Sequence, residues 1–470
     1  MKADKNSDQF QKAIHQAMRA WHTIGGSPES LLSDLLLVQQ KTPAAQETNP
    51  ASQRLAANQV LLAGMEELAA HDEMAERVLQ LRFPDNCSLL MVANRLNVSE
   101  HTVSRLQKAA LQRLAEIIFS QEAKARDINA QSIEVHLPPA SYTQLFGVTT
   151  MQQELNHLLQ QPDGPWVIAI VGLGGVGKTA LADSVTRQMI RQFCFDDVIW
   201  LRIAPMTMSG LSASPELTFD HLVVELFERF WPGTTQSPDK RLAHVRQHLQ
   251  SRPYLIVIDN IESETDTSYL LERLNGLANP SKFLLTSRTR PHQAAMAYSF
   301  TVEELSFSDA VALMDAHAQE VGIRAFGSAE AVDYEDIYAK TGGNPLALKL
   351  VVSLLDLLPL SQVLGGLAVG QAGAIEAMYR YIYWQTWQTL SENGRTLLLT
   401  MPLVAESGGT PDYLKTLSNL DDAQLWPAVH ELRSRSLLEV RGTLKDKRYG
   451  IHRLTETFLQ TEIIHWPGVG

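Results

Sequence analysis

The arrangement of hydrophobic and polar positions changes twice along the chain. Up to about residue 125, apolar residues recur at helical spacing, which predicts one helix after another. From residue 145 to about residue 304, short apolar runs alternate with helical patterns, which predicts a parallel sheet with helices on both faces. These runs are WVIAIV, DVIWLRIA, YLIVIDNI and KFLLTSR. Beyond residue 305 helical spacing returns, and a small hairpin is predicted in SLLEVRGTLKDKRYGIHRL.

Composition limits the class of protein. A length of 470 residues predicts several domains, and 45% hydrophobic with 20% charged residues is typical of globular folding. The net charge of -12 argues against unspecific coating of nucleic acid, although a local basic face stays open. The cysteines, Cys87 and Cys194, form no CxxC pair, and neither a signal peptide nor a membrane span is predicted. We therefore expect a protein of the reducing cytoplasm that has no membrane partner.

The first apolar run leads into a stretch with the chemistry of a phosphate-binding loop. The segment GLGGVGKT fits G-x-x-x-x-G-K-[ST] between a predicted strand and a predicted helix. Glycines allow backbone N–H groups to surround phosphate, Lys178 reaches the β- and γ-phosphates, and the Thr179 hydroxyl holds Mg²⁺. A mere tight turn is the alternative, but strand, loop, Lys-Thr and helix coincide here. The predicted cofactor-binding residues of the loop are Gly172, Gly174, Gly175, Val176, Gly177, Lys178, Thr179 and Ala180.

Two later strand ends supply candidate catalytic residues. Asp259 follows five apolar residues in YLIVIDNIE and is predicted to orient Mg²⁺ together with Thr179. Arg288 stands at the end of the next predicted strand, in FLLTSRTR, where it could sense the terminal phosphate of a nucleotide. A turn aspartate and a surface arginine are the plainer explanations for each residue taken alone.

Together these motifs resemble the NB-ARC module of the STAND class of signalling ATPases, over roughly residues 143–465. The resemblance implies ATP or ADP with Mg²⁺ as cofactors, and it assigns the sensor arginine to Arg288. LFGV, TGGNPLALKL and YGIHRLTETFL resemble further family motifs. By that resemblance the further nucleotide contacts are Phe146, Gly147, Val148, Pro345 and His452, the last of them at the ADP β-phosphate. Plainer roles are the first helical position for Pro345 and a half-buried hairpin histidine for His452.

The fold class expected is therefore a multidomain protein of α and α/β type. A P-loop NTPase domain with a parallel sheet lies between an all-α domain and two further helical parts. The boundaries expected are an all-helical domain over 1–125, a linker over 126–144, the P-loop domain over 145–304, a helical domain over 305–370 and a winged-helix domain over 371–470.

The chain departs from the family pattern at positions that concern hydrolysis. Val148 replaces an arginine of the first motif, and Arg453 replaces the aspartate of the last one. Asn260 stands where many relatives have a second aspartate thought to polarise the attacking water, and an amide accepts no proton at neutral pH. Glu262 could substitute for it. We therefore expect at most a slow ATPase.

Slow turnover indicates that the nucleotide acts as a signal and not as a source of energy for work. Contacts from separate subdomains on one nucleotide imply that ADP holds the C-terminal domain closed, whereas ATP permits self-association. A working motor ATPase is the alternative. Relatives usually continue into a repeat array that senses the trigger, and no internal repeat is found here. Three explanations for the missing array stay open. The sensor is a separate protein, residues 1–80 sense the trigger, or the chain is an abbreviated variant.

A helix-turn-helix is predicted over residues 86–118, within the all-helical domain. Its turn places Asn97, which tolerates a left-handed backbone, before Ser99 as the N-cap of the second helix. One face of that helix is apolar, with Val103, Leu106, Ala110 and Leu114. The opposite face carries the polar side chains His101, Arg105, Lys108 and Gln112, while Arg95 and Arg113 add positive charge nearby.

This stretch resembles region 4 of bacterial sigma factors and the related response regulators. The resemblance implies contacts with DNA bases and phosphates from Glu100, His101, Thr102, Arg105 and Lys108. We therefore expect a bacterial DNA-binding regulator of transcription that oligomerises in its ATP state. Helical pairs of this kind also occur in domains that bind only protein, so an adaptor that recruits effectors in a defence or stress complex is the second hypothesis.

Overall fold

The structure is a computed structural model in which two compact units are described. It describes residues 7–22, 32–42, 50–203, 215–261, 264–288, 297–323, 326, 329–370, 375–404, 408–442 and 446–464. The first unit comprises Met1–Ile133 with Arg191–Phe193, and the second comprises Glu134–Ile190 with Cys194–Gly470.

The first unit is helical throughout its described residues. Its helices are α1 (Ser7–Arg19), α2 (Leu36–Lys41), α3 (Pro50–His71), α4 (Glu73–Arg82), α5 (Leu89–Leu96) and α6 (Glu100–Glu134). Apolar residues of α1, α3, α4 and α6 share one core, in which Ile14, Leu61 and Leu114 are fully buried. A smaller cluster that includes Val92 and Val103 joins α4, α5 and the start of α6.

Helix α6 extends farther than the sequence pattern indicates. The predicted linker, residues 126–144, is helical as far as Glu134. The residues before Glu134 favour helix because they contain neither glycine nor proline, and Arg126 pairs with Glu122 one turn earlier. The first helix-breaking residue after α6 is Pro138.

The second unit begins with a parallel α/β arrangement. Its strands are β1 (Val167–Val171), β2 (Asp197–Arg202), β3 (Tyr254–Ile261), β4 (Lys282–Ser287) and β5 (Tyr298–Thr301). They form one parallel sheet in the order β2-β3-β4-β1-β5. The helices along this stretch are α7 (Thr149–Gln160), α8 (Lys178–Arg191), α9 (Pro215–Phe230), α10 (Pro238–Ser251) and α11 (Glu264–Asn275). Four strands were predicted and are confirmed, whereas β5 was missed.

In its described residues, the remainder of the second unit is helical with one hairpin. Its helices are α12 (Phe307–Val321), α13 (Ala331–Thr341), α14 (Pro345–Leu354), α15 (Leu360–Gly370), α16 (Ile375–Thr389), α17 (Glu392–Thr400), α18 (Pro411–Ser418), α19 (Asp422–Ser434) and α20 (Arg453–Phe458). The predicted hairpin is confirmed as antiparallel strands β6 (Glu439–Gly442) and β7 (Lys447–Gly450). One apolar core runs through this part, from Leu305 to Leu459. Among the described residues, no helix has the length and apolar character that crossing a bilayer requires.

Candidate functional site

The predicted phosphate-binding loop joins β1 to α8. All five residues of β1 are buried, which fixes the start of the loop in the sheet. The backbone has positive φ at Gly175 (76°) and Gly177 (102°), a conformation that L side chains rarely adopt. A Cβ atom at Gly177 would meet nothing within 4 Å, so the space beside this glycine is open. Lys178 begins α8, and its Nζ donates to the carbonyl oxygens of Gly172 and Leu173, at 2.9 and 2.8 Å.

The two residues predicted to hold magnesium lie together. The Thr179 hydroxyl donates to Asp259 Oδ1 across 2.8 Å. The hydroxyl of Thr286, on β4, donates to the same oxygen across 2.6 Å. Asp259 is only 4% exposed, so the two hydroxyls satisfy a carboxylate that would otherwise be costly to bury. Oxygen ligands from one hydroxyl and one carboxylate, beside a phosphate loop, are the donors that Mg²⁺ takes in nucleotide sites.

Asn260 is turned away from that magnesium pair. Its side-chain amide donates to the carbonyl oxygen of Ile203 across 3.0 Å, and its backbone N–H donates to the Thr286 hydroxyl across 2.8 Å. The backbone here has φ of 79°, which asparagine tolerates better than most residues. Glu262, considered from the sequence as a substitute, lies outside the described residues.

Arg288 follows β4 directly, and its side chain is exposed beside the phosphate loop. Its Cζ would lie 3.9 Å from a Cβ atom placed on Gly174. It also lines a cavity of about 230 Å³ together with Gly172, Leu173 and Glu304. The predicted sensor arginine is thus within side-chain reach of the phosphate loop.

The residues of the first motif pack on the helical part of the unit. Gly147 has φ of 64°, and a Cβ atom there would approach Leu305 and Asp309 to 3.0 Å. Phe146 is half-buried against the same apolar core as Leu305. Val148 precedes α7 at the N-cap position and caps nothing with its side chain.

Pro345 is the first residue of α14, which is the plainer of the two roles considered for it from the sequence. Asn344 before it is the N-cap, since its Oδ1 accepts from the N–H groups of Leu346 and Ala347. The Asn344 amide reaches farther and donates to the Gly174 carbonyl across 2.9 Å. Sequence reasoning missed this contact, although an asparagine before proline is an N-cap signal.

His452 and the helix that follows it lie close to the phosphate loop. His452 Nδ1 accepts from the backbone N–H of Leu454 across 3.1 Å and so caps α20. A neutral imidazole that accepts at Nδ1 carries its proton on Nε2, which makes Nε2 a donor. The methyl carbons of Leu454 lie 3.6 Å from the position of a Cβ atom on Gly174. Leu454 of α20 therefore lies beside Gly174 of the loop.

In the first unit, the turn of the predicted helix-turn-helix is confirmed in its geometry. Asn97 ends α5 with φ of 53° and ψ of 44°, in the left-handed region. Ser99 Oγ accepts from the backbone N–H of Thr102 across 3.1 Å, which is the capping bond predicted for α6. Ser88 caps α5 in the same manner, through the N–H of Met91.

The predicted contact residues lie on the outer face at the start of α6. Glu100, His101, Arg105 and Lys108 are exposed and Thr102 is half-buried, whereas Val103, Ala110 and Leu114 are buried on the opposite face. The expectation that Arg113 adds its positive charge to the contact face is corrected by the structure. The Arg113 guanidinium pairs with Asp72, which also caps α4 through the N–H of Ala75. The charge of Arg113 is therefore partly neutralised.

Comparison with known proteins identifies both segments. The family model of the NB-ARC domain matches residues 148–321, and that of sigma-70 region 4 matches residues 72–116. Regulatory protein AfsR of Streptomyces griseus is 30% identical over 224 residues, which are 46% of this chain and 21% of that protein. Probable disease resistance RPP8-like protein 4 of Arabidopsis thaliana is 25% identical over 267 residues, 54% of this chain and 28% of its own.

A similar solved structure is that of a STAND protein with a tetratricopeptide repeat sensor from Pyrococcus horikoshii. It has a TM-score of 0.42 and 16% identity, and the alignment covers 68% of this chain and 43% of that one. The chain therefore spans well under two thirds of these relatives. Both resemblances stated from the sequence are confirmed over the segments that the two family models match.

Proposed function

We propose that this chain, which carries an NB-ARC domain behind a sigma-70 region 4 segment, is a nucleotide-dependent switch that regulates transcription by binding DNA. The observation that carries the switch is the convergence of three parts of the second unit on Gly174. Arg288 follows the sheet, Tyr379 lies on α16 and Leu454 lies on α20, and all three reach this glycine. A ligand in the loop would therefore be sensed by elements that lie far apart in sequence.

In this proposal the phosphate loop, Gly172 to Ala180, holds the phosphates of ADP or ATP. Lys178 supplies positive charge to the β- and γ-phosphates, and Thr179 and Asp259 hold Mg²⁺. The metal, when bound, neutralises phosphate charge. Phe146, Gly147, Val148 and Pro345 contact adenine, His452 donates from Nε2 to the β-phosphate, and Arg288 reports the γ-phosphate.

The nucleotide sets the association state of the protein. ADP favours the arrangement in which α20 contacts the loop, and ATP favours another that permits self-association. Assembly then places several DNA-reading helices side by side, which raises avidity without a change in any single contact. A separate sensor protein is a proposed partner, and the cytoplasm is the proposed location.

Co-purified nucleotide and molecular mass test the switch. We expect the purified protein to retain ADP, detected by mass spectrometry, and to be a monomer with ADP. It should form a larger assembly with a non-hydrolysable ATP analogue. Lys178→Ala should lose both the nucleotide and the change in mass. A wild-type protein that binds neither nucleotide would refute the switch, and turnover faster than about once per second would favour a motor ATPase.

Electrophoretic mobility shifts test the DNA function. We expect the combined replacement of His101, Arg105 and Lys108 by alanine to abolish binding to DNA. Lys124→Ala is the matched control, because Lys124 is also exposed on α6 but lies beyond the predicted contact residues. DNA binding that survives the triple replacement, or that wild type lacks, would favour the second candidate, a protein adaptor. The match to sigma-70 region 4 is the observation that favours DNA.

A further inference from the structure

The carbonyl group of Gly174 in the phosphate loop is approached by two distant side chains. Asn344 Nδ2 donates to this oxygen across 2.9 Å, and the Tyr379 hydroxyl lies 3.4 Å from it. The same hydroxyl is 2.7 Å from Asn344 Oδ1. Since a tyrosine has a single hydroxyl hydrogen, the shorter contact receives it, and Tyr379 orients the Asn344 amide toward the loop.

Both side chains are enclosed. Tyr379 is 4% exposed and Asn344 is 2% exposed. Burial raises the pKa of Tyr379, so its hydroxyl keeps the proton that it donates. A Cβ atom on Gly175 would lie 2.6 Å from this hydroxyl and 2.9 Å from Leu346 Cβ, which leaves room for glycine alone. The outer side of the loop is thus packed against α14 and α16.

The direction of the Gly174 carbonyl determines the direction of the next N–H group. In a planar trans peptide the C=O of one residue and the N–H of the following residue point to opposite sides. Because the Gly174 oxygen is held toward Asn344 and Tyr379, the N–H of Gly175 points toward the inner side of the loop. That inner side is where backbone N–H groups of a phosphate loop meet their ligand.

We propose that Asn344 and Tyr379 are positioning residues for the phosphate loop, and that they slow the release of nucleoside diphosphates and triphosphates by fixing the Gly174–Gly175 peptide. This inference rests on the proposed function, because it concerns the same loop. It adds that α16 controls phosphate affinity directly. When α16 leaves the loop, the Gly175 N–H loses its fixed direction and phosphate is released faster.

A merely structural role for the pair predicts different behaviour. Asn344 also caps α14 through Oδ1, so its loss could simply weaken that helix. Weakened packing would change the affinity for adenosine and for ADP alike. A positioning role at the loop affects only ligands that carry phosphate. The comparison of ADP with adenosine therefore separates the two roles.

The test uses the full chain with three single substitutions. Tyr379→Phe removes the hydroxyl and keeps the ring. Asn344→Ser keeps an N-cap oxygen, removes the amide donor and adds no charge that would itself repel phosphate. Tyr383→Phe is the matched control, because Tyr383 is buried one turn later on α16 and its hydroxyl accepts from Thr455 Oγ1 across 3.2 Å, away from the loop.

The measurements are the dissociation rate of a fluorescent ADP analogue and the affinity for adenosine. We expect Tyr379→Phe and Asn344→Ser each to raise the ADP dissociation rate about tenfold, the effect of about one net hydrogen bond. Adenosine affinity should not change, and Tyr383→Phe should match wild type in both measurements.

The outcomes separate this inference from the function on which it rests. If wild type binds neither ADP nor ATP, the proposed function is refuted and the positioning role falls with it. If wild type binds ADP but Tyr379→Phe and Asn344→Ser release it as slowly as wild type does, only the positioning role is refuted. Equal losses of ADP and adenosine affinity would also overturn it, since they indicate a structural role.

Discussion

The side-chain amide of Asn260 donates to the backbone carbonyl of Ile203 across 3.0 Å. This bond ties the end of β3 to the segment after β2, and it occupies the side chain that stands where relatives are expected to carry a second aspartate. The Asn260 side chain therefore stabilises the sheet. A residue change alone would not make it a base for water.

We therefore predict that Asn260→Asp does not raise ATP turnover. The aspartate would set a carboxylate oxygen against the Ile203 carbonyl and lose a donor, which should lower the free energy of unfolding by about 1–3 kcal/mol. Turnover is followed by phosphate release and stability by urea denaturation. Asn260→Gly is the control, because glycine accepts the positive φ and introduces no charge. A clear gain in turnover with Asn260→Asp would show that the side chain can reach the nucleotide.

Arg113 and Arg105 lie on the same helix and should differ in DNA binding. Arg113 pairs with Asp72, whereas Arg105 is exposed on the predicted contact face. We predict that Arg105→Gln weakens DNA binding and lowers the dependence of log affinity on log salt by about one unit, the effect of one lost phosphate contact. Arg113→Gln should leave that slope unchanged and lower stability by about 0–1 kcal/mol. Equal salt slopes for the two variants would contradict the assignment of the contact face.

His317 should make the stability of the second unit depend on pH. Its Nε2 contacts the hydroxyls of Ser353 and Ser436, at 3.1 and 2.7 Å, between α12, α14 and the end of α19. Burial, with a smaller effect of the Lys349 charge, lowers the pKa of His317 to about 3. The folded state therefore holds a neutral imidazole, whereas the unfolded chain takes up a proton below about pH 6.5.

The sign of the effect follows from these two pKa values. Stability from the neutral imidazole is complete above pH 6.5 and is lost as the pH falls toward 3. At about pH 5 we predict a loss of about 2 kcal/mol relative to about pH 7. Urea denaturation of wild type and His317→Gln at the two pH values measures it, and the variant should lack this part of the loss. Parallel losses in both proteins would assign the pH dependence to other groups.

The sequence predicts best those elements that depend on residues close together in the chain. An apolar run beside glycines sufficed for β1 and the loop, and Asn97 before a capping serine sufficed for the turn between α5 and α6. Strand β5 was missed because it is four residues long and two of them, Tyr298 and Ser299, are exposed. No hydrophobic pattern marks such an edge strand.

In the candidate site, too, the sequence could predict some contacts and not others. Thr179 and Asp259 were predictable as a pair because the loop after β1 and the end of β3 meet at the carboxyl edge of one parallel sheet. The contacts of Asn344 and Tyr379 with Gly174 were not, since they depend on how α14 and α16 pack on the loop. Tyr379 carries no local signal that separates it from its neighbours on α16.

The segment that follows α6 is attached to the phosphate-loop helix α8. The Tyr142 hydroxyl donates to Asp183 Oδ2 across 2.8 Å, and Arg187 Nε donates to the same oxygen across 2.9 Å. Arg187 also donates to the Pro138 carbonyl across 2.7 Å and lies 3.9 Å from Glu134. Burial, then the Asp183 charge, raises the pKa of Tyr142, so the hydroxyl remains a donor.

This network predicts unequal effects of two conservative substitutions. Asp183→Asn leaves the half-buried Arg187 with only the more distant Glu134 as a charged partner and should cost about 3 kcal/mol, whereas Tyr142→Phe should cost about 1.5 kcal/mol. Thermal melting measures both, and limited proteolysis shows whether the chain is cut between Glu134 and Tyr142. We expect faster cleavage there in both variants, because each loses a bond that holds this segment on α8. Cleavage at the wild-type rate would show that the segment stays on the helix without the Asp183 contacts.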